Sequence, residues 1–225
     1  RYHRRKQTPT EGTLVKFYKW MSAPNPRRVE IFVAEKGIDI EITEASDPAN
    51  PGQLSAEFCG RYPHRRVPLL ELDDGDWIGE AAAICRYLET LYPDNPLMGA
   101  TPKEIAIVEM WDRLVEWEGL MAVSEVFRNT HKLFVGRGLA GYDREIPQIP
   151  ALAERGEFRL RLFFEKIDEQ LGGHTFLAGD TFSFADITAF CAIEFGVSRR
   201  LAIPDECIHV QDWYGRVSKR PGVAN

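Results

Sequence analysis

The chain has 225 residues, of which 44% are apolar and 28% are charged, and its formal net charge is −6. This apolar content suffices for a buried core and excludes wholesale disorder, and the acidic balance argues against a dedicated nucleic-acid-binding protein, which has a basic excess. No apolar run reaches the ~18–20 residues of a membrane-spanning helix, and the acidic balance suits a soluble protein of the cell interior.

The chain has four cysteines, at positions 59, 85, 191 and 207, and none belongs to a Cys-x-x-Cys pair. Its five histidines are scattered. Because a structural zinc site needs Cys and His ligands at close, regular spacings, we predict no metal site and interpret the cysteines as small buried apolar residues.

The N-terminal residues 1–13 are basic, and the apolar stretch that a signal peptide requires does not follow them. We predict a mobile arm, with a tail that contacts phosphate or a partner as the alternative.

Strand and helix signals alternate over residues 14–92, the first predicted domain. Val15–Trp20 alternates apolar and polar residues, which predicts a strand. Asn25 is then a suitable N-cap with Pro26 at the first helical position, and Gly37 ends the predicted helix.

A second strand is predicted at Ile38–Ile42, followed by a short helix around Ser55–Cys59. Val67–Leu72 and Asp76–Gly79 read as a strand and its return strand, and Glu80–Tyr92 as a helix with one apolar face. The predicted order is β-α-β-α-β-β-α, an α/β domain whose first three elements form a right-handed crossover unit.

Strand signals disappear after a predicted linker at residues 93–101, so residues 102–225 are predicted as an all-helical second domain. The predicted helices are 103–131, 151–171, 184–197 and 210–219. Helical spacing places these residues on their apolar faces: Ile107, Met110, Trp111, Leu114, Met121, Val126, Phe158, Leu162, Phe163 and Ile167. For Trp117 the sequence does not decide between a place in the core and a place in a substrate pocket.

The third of these helices carries a capping motif at its start. Ser183 at the N-cap and Asp186 three residues later resemble a capping box, with Asp in place of Glu. Phe182 and Ile187 stand at the two positions of a hydrophobic staple, so we interpret this segment as a folding device.

Two segments of the first domain have features typical of ligand binding. Val67-Pro68 opens a strand, where an extended peptide can pair with the backbone. Gly79-Glu80-Ala81 begins a helix that lacks a Ser, Thr, Asp or Asn cap, so its first N–H groups are available to an anion. An ordinary Gly-capped helix is the alternative.

Together these features resemble the soluble glutathione transferase family over about residues 14–222. The matching stretches are Ala23-Pro-Asn-Pro-Arg-Arg-Val29 with Ala34-Glu-Lys-Gly37, Arg66-Val-Pro-Leu-Leu70, Glu80-Ala-Ala-Ala-Ile84 with Arg86-Tyr-Leu88, Phe176-Leu-Ala-Gly-Asp180 and Ser183-Phe-Ala-Asp-Ile187. The resemblance is to bacterial-type members, and the Ala-Pro-Asn motif is closest to their Thr-Pro-Asn branch. It implies a thioredoxin-like N-terminal α/β domain and an all-α C-terminal domain.

The resemblance also implies a glutathione site in the first domain. The cysteinyl backbone of glutathione would pair with Val67, just before a cis Pro68, and the γ-glutamyl end would bind Glu80 and the N–H of Ala81. The family usually has Ser at position 81, so we expect weaker binding by about 0.5–1.5 kcal/mol, the value of a neutral hydrogen bond.

The glycine carboxylate of glutathione would bind Arg65 or Arg66, since arginine grips carboxylates bidentately. The alternative is that both are solvated loop charges.

The group that stabilises the thiolate has two candidates. Related sequences carry a hydroxyl where this chain has Ala23, which leaves Asn25 and Ser22, and Tyr18 is expected to be structural. A helix N-terminus contributes about 0.3–1 kcal/mol and at most about 2, so a directed donor such as the Asn25 amide is also needed.

By this resemblance we expect a cytosolic, homodimeric, detoxifying glutathione transferase that uses glutathione as co-substrate and attacks a small hydrophobic electrophile or a disulfide. The helical domain would supply an apolar pocket over the sulfur. A glutathione-dependent disulfide oxidoreductase is one alternative, and a non-catalytic ligand-binding protein on the same fold is the other. We expect no nucleic-acid or membrane partner.

Overall fold

The computed structural model describes residues 15–20 and 23–224. These residues divide into two compact units, the first comprising 15–20, 23–95 and 140–142 and the second 96–139 and 143–224. The predicted arm at residues 1–13 lies outside the described residues.

The first unit contains α and β elements. Its strands are β1 (Lys16–Lys19), β2 (Glu41–Glu44), β3 (Ser46–Asp47), β4 (Asn50–Leu54), β5 (Leu69–Glu71) and β6 (Trp77–Gly79). Its helices are α1 (Pro24–Lys36), α2 (Ala56–Arg61) and α3 (Ala81–Leu91).

Four of these strands form one mixed sheet in the order β2-β1-β5-β6. Strand β1 pairs in parallel with β2 and antiparallel with β5, and β6 returns antiparallel to β5. Helix α3 packs against α1, β5 and β6, and Phe17, Phe32, Leu70 and Ile84 are fully buried in this unit. This is the predicted thioredoxin-like α/β fold, which the structure confirms.

Strands β3 and β4 form a separate two-stranded hairpin, which is missing from the sequence prediction. Pro48 and Pro51 favour irregular structure there. In a two-stranded hairpin, however, each strand has one edge that makes no hydrogen bonds to another strand. Proline, which has no backbone N–H, is therefore tolerated there.

The second unit is helical, in agreement with the prediction. Its helices are α4 (Pro102–Val115), α5 (Met121–Thr130), α6 (Pro150–Gly173), α7 (Phe184–Val197) and α8 (Ile208–Val217). The long helix predicted over 103–131 is divided by a π-helical turn, Glu116–Leu120, and is followed by a 3-10 turn, Lys132–Phe134.

The predicted capping box is confirmed at the start of α7. The carboxylate of Asp186, which is fully buried, accepts hydrogen bonds at 3.0 Å from the Ser183 N–H and hydroxyl and also from the Leu177 N–H and the Trp213 indole. Burial raises the pKa of Asp186, and these donors oppose that rise. The box thus joins three segments of the helical unit.

Four residues predicted in the helical core are instead exposed. Phe163 and Ile167 are buried on α6, but Phe158 and Leu162 are exposed. At ~100° per residue, positions 158 and 162 fall on the side of α6 opposite to its buried face. Met110 and Met121 are likewise exposed, and Trp117, left open by the sequence, is 64% exposed. Trp111 is half-buried.

Candidate functional site

Helix α1 begins two residues earlier than the sequence predicts. Its N-cap is Ala23, which makes no side-chain cap, and Pro24 is the first helical residue. Asn25 is therefore inside the first turn and is not the N-cap, and Pro26 is not the first helical residue. The physical reason is that the fixed φ of Pro24 already suits the first helical position.

The Asn25 side chain is held by an arginine that the sequence analysis did not single out. The Asn25 Oδ1 accepts a hydrogen bond from Arg28 Nη1 at 3.0 Å, and Arg28 is only 1% exposed. With Oδ1 engaged, the amide NH2 at the other end of the group is the part that can donate to a ligand. The sequence could have indicated this contact, because residues three positions apart on a helix lie next to each other.

The second thiolate candidate, Ser22, and the tyrosine expected to be structural, Tyr18, have different outcomes. Ser22 lies outside the described residues. The Tyr18 hydroxyl donates to Glu71 Oε2 at 2.7 Å, and burial, followed by this hydrogen bond, raises the pKa of Tyr18 to about 12. Tyr18 is thus a neutral phenol bound to Glu71.

Val67 lies two residues before Leu69, the first residue of β5. The Val67–Pro68 peptide bond is cis, and Pro68 is buried. The register of β1 and β5 ends at the pair Tyr18–Leu69. The backbone of Val67 therefore lies beyond the last paired residue, at the end of the sheet.

Helix α3 begins with an unusual backbone conformation. Glu80 is its N-cap, with φ 65° and ψ 125° and no side-chain cap, so the predicted alternative of a Gly79 cap is wrong. Positive φ is uncommon outside glycine and persists only where the surroundings enforce it. Ala81, the first helical residue, is buried, whereas the Glu80 side chain is 68% exposed.

Of the two adjacent arginines, Arg66 lies near Glu80. Its Nη1 is 4.0 Å from Glu80 Oε1. Arg65 has a positive φ of 49° and does not line the cavity that Arg66 lines.

A cavity of about 580 Å³ in the first unit contains both Arg66 and Glu80. The remaining lining residues are Tyr62, Pro63, His64, Trp77, Gly79, Gly141 and Tyr142. The Tyr62 and Trp77 rings contact each other edge to face at 4.6 Å. The structure therefore brings together two of the predicted binding residues, while Asn25, Arg65 and Val67 lie outside this lining.

Two features are absent from the described part of the chain. No helix there is long and apolar enough to cross a membrane. No group of three or more His, Cys, Asp or Glu side chains there could hold a metal ion.

Comparison with known proteins gives the same assignment for both units. The family model of the glutathione S-transferase N-terminal domain matches residues 23–91, and that of the C-terminal domain matches residues 121–221. Glutathione S-transferase 2 of Saccharomyces cerevisiae is 32% identical over 207 residues, which cover 92% of this chain and 86% of the yeast protein.

Solved structures extend the likeness to three dimensions. A glutathione S-transferase domain-containing protein of Marinobacter aquaeolei has a TM-score of 0.80 at 34% identity, covering 92% of this chain and 99% of its own. Gtt2 from Saccharomyces cerevisiae has a TM-score of 0.80 at 30% identity, covering 93% of this chain and 98% of its own. The chain therefore belongs to the glutathione S-transferase family.

Proposed function

We propose that this protein is a glutathione transferase that activates the thiol of glutathione for attack on a small electrophilic molecule. The observation that carries the proposal is the cavity shared by Glu80 and Arg66 at the start of α3. An acidic and a basic side chain 4.0 Å apart match the ammonium and carboxylate of a γ-glutamyl group.

The remaining contacts to glutathione come from the backbone and from Arg65. The N–H of Ala81 opens α3, where the helix dipole favours a carboxylate. Val67, just before the start of β5, can pair with the cysteinyl backbone. Since Arg66 is close to Glu80, we assign Arg65 to the glycine carboxylate. The missing hydroxyl at Ala81 removes one neutral hydrogen bond.

The thiolate is stabilised at the start of α1. A free thiol has a pKa near ~8.5, and the dipole of a helix lowers it by at most about one and a half units, since it contributes no more than about 2 kcal/mol. The Asn25 amide supplies the additional donor, and Arg28 fixes that amide through Oδ1. The buried guanidinium of Arg28 adds positive charge, which also favours the thiolate.

The reaction follows from a stabilised thiolate. The thiol proton passes to solvent, the sulfur electron pair forms a bond to the electrophilic carbon, and the leaving group departs with its bonding electrons. Neither Asn25 nor Arg28 accepts the proton, because neither has a basic site at neutral pH.

The test of this mechanism is the pKa of bound glutathione, measured by thiolate absorbance against pH. Asn25→Asp replaces the donor with a negative charge that Arg28 can hold in place, so the thiol pKa should rise by about one unit, or ~1.4 kcal/mol. Gln53→Glu is the matched control, since it adds the same charge at an exposed position of β4. An unchanged pKa in Asn25→Asp would contradict the role of Asn25 and leave Ser22 as the candidate.

Activity assays separate the transferase from the two other functions. The wild-type protein should conjugate glutathione to a chloro-aromatic electrophile faster than it reduces a small mixed disulfide. Faster disulfide reduction would favour an oxidoreductase instead. Glutathione binding without either activity would favour a binding protein.

We also propose a homodimer in the cytoplasm. Large apolar side chains are exposed on α4, on the π-helical turn, on α5 and on α6, which favours their burial in a subunit interface. They are Met110, Trp117, Met121, Phe158 and Leu162. The four cysteines form no disulfide, which fits a reducing compartment.

Light scattering tests the dimer. It should give twice the chain mass of 25.6 kDa. The variant Trp117→Glu should be monomeric. Ile208→Glu on α8, at a residue that is also exposed in the chain, should stay dimeric. A wild-type mass of one chain at micromolar concentration would refute this proposal.

A further inference from the structure

A short segment far along the sequence belongs to the first unit. Ala140–Tyr142, hereafter the strap, groups with residues 15–95 although the residues on either side of it do not. Arg66 Nη2 donates to the Ala140 carbonyl at 3.4 Å, across 74 residues of sequence. The strap is therefore part of the surroundings of Arg66.

Gly141 makes this contact sterically possible. Its φ is +87°, and a Cβ at this position would lie 2.7 Å from both the His64 carbonyl oxygen and Arg66 Nε. A side chain cannot enter that space without moving the backbone of the strap or of His64, because non-bonded carbon and oxygen atoms do not approach so closely. The sequence thus permits the strap to lie directly on the loop that carries Arg66.

The strap forms one wall of the cavity described above. Gly141 and Tyr142 line it together with charged and aromatic groups that include Glu80, His64 and Trp77. His64 and Trp77 are themselves in edge-to-face contact at 5.8 Å. Tyr142 is 52% exposed, so its ring has surface left to cover a ligand.

We propose that the strap closes the glutathione pocket and that Tyr142 contacts the γ-glutamyl end of the bound tripeptide, an inference that rests on the proposed function. The γ-glutamyl group is selected because it carries both an ammonium and a carboxylate, which match Glu80 and Arg66. An ammonium beside Glu80 is also attracted to the face of an aromatic ring. The thiol end binds near Asn25, which does not line the cavity.

The first experiment measures dissociation constants by calorimetry for glutathione and its two dipeptide halves. Tyr142→Ala should weaken glutathione and γ-glutamylcysteine about tenfold each, which corresponds to ~1.4 kcal/mol, and should leave cysteinylglycine unchanged. Because Tyr142 does not contact the reacting sulfur, KM for glutathione should rise by the same factor with kcat unchanged. Tyr142→Phe should retain the wild-type affinity within about twofold, since the ring is kept.

The second experiment tests the strap with a pair of glycine variants. Gly141→Ala should weaken γ-glutamylcysteine binding, because the new Cβ pushes the strap away from His64 and Arg66. Gly75→Ala is the matched control: Gly75 has a φ of +90° but nothing within 4 Å of its added Cβ. Both variants place alanine at a positive φ, so both should lose stability. A loss of binding in Gly141→Ala but not in Gly75→Ala is therefore due to the displaced strap and not to the loss of stability.

The outcomes separate this inference from the proposed function. If the wild-type protein binds neither glutathione nor γ-glutamylcysteine, the proposed function fails and the inference with it. If the wild-type protein binds both and Tyr142→Ala binds them equally well, the inference is refuted and the proposed function stands. Equal weakening of cysteinylglycine and γ-glutamylcysteine would also refute it, because Tyr142 would then not act at the γ-glutamyl end.

Discussion

Replacement of Glu80 by glycine is expected to stabilise the fold and weaken glutathione binding at the same time. Glu80 has φ 65° and ψ 125°, a combination that glycine adopts without a Cβ clash. Its carboxylate is the group that we assign to the ammonium of glutathione. Glu80→Gly therefore removes backbone strain and a ligand contact in one substitution.

The two effects differ in sign and can be estimated separately. A residue held in a sparsely populated backbone region costs about 1–3 kcal/mol of stability, which the substitution recovers. Glycine in turn destabilises the fold by about 0.5–1 kcal/mol, because it increases the entropy of the unfolded chain. The exposed ion pair with Arg66 contributes about 0–1 kcal/mol, which is also lost. The net gain is about 1 kcal/mol, or a rise of about 2–4 °C in Tm.

Binding should fall about tenfold. A hydrogen bond to a charged group contributes about 1.5–3 kcal/mol, and we take the low end because the Glu80 side chain is 68% exposed. Thermal melts and calorimetric titration with glutathione measure the two quantities on the same preparations.

Two controls separate strain from charge. Glu80→Gln keeps the strained backbone and removes the charge, so affinity should fall while Tm changes little. Arg200→Gly relieves a similar φ of 67° at an exposed residue of the helical unit, so Tm should rise with no change in affinity. The reasoning is refuted if Glu80→Gly lowers Tm, or if Glu80→Gln binds glutathione as tightly as the wild type.

Three further predictions concern stability. Lys36→Met should cost about 3 kcal/mol in urea unfolding, the low end of the range for breaking a buried ion pair, because it leaves the partly buried Glu89 carboxylate without the ammonium 2.7 Å away. Ser183→Ala should cost about 1–3 kcal/mol by removing one donor to Asp186, with glutathione affinity unchanged because Ser183 belongs to the helical unit; equal loss of affinity would contradict this. Since the pKa of Tyr18 is raised from 10.0 to about 12, its contribution to stability is complete below pH 10 and lost as the pH rises towards 12. Melts of Tyr18→Phe across this range should therefore depend less on pH than wild-type melts.

The fold could be predicted because its elements carry local signals. Helix α7 is observed at Phe184–Val197, the range predicted from its capping box and apolar run, since the cap and the run lie within one segment. The burial of α6 could not be predicted in the same way. Apolar residues lie on both of its faces, and packing alone determines that Phe158 and Leu162 are exposed.

The candidate site was less accessible to sequence analysis, for two reasons. The first is local geometry: whether Pro24 or Pro26 opens α1 depends on a backbone choice that both residues permit, and that choice moved Asn25 from the cap into the helix. The second is distance along the chain. No pattern in the sequence indicates that Gly141 lies against Arg66, because the contact depends on the path of a long loop.

The two positions where this chain lacks a hydroxyl have a common consequence. Ala23 and Ala81 each stand where relatives are expected to offer a side-chain donor. The first turn of α1 also begins Pro-Asn-Pro, and prolines have no N–H, so Asn25 is the first residue of that helix with a backbone donor. Recognition of an anionic ligand must then depend more on charged side chains than on neutral hydrogen bonds. We therefore expect Arg28 and Arg66 to carry a larger share of the proposed glutathione binding here than in a relative with both hydroxyls, and we expect the affinity to fall more steeply with added salt.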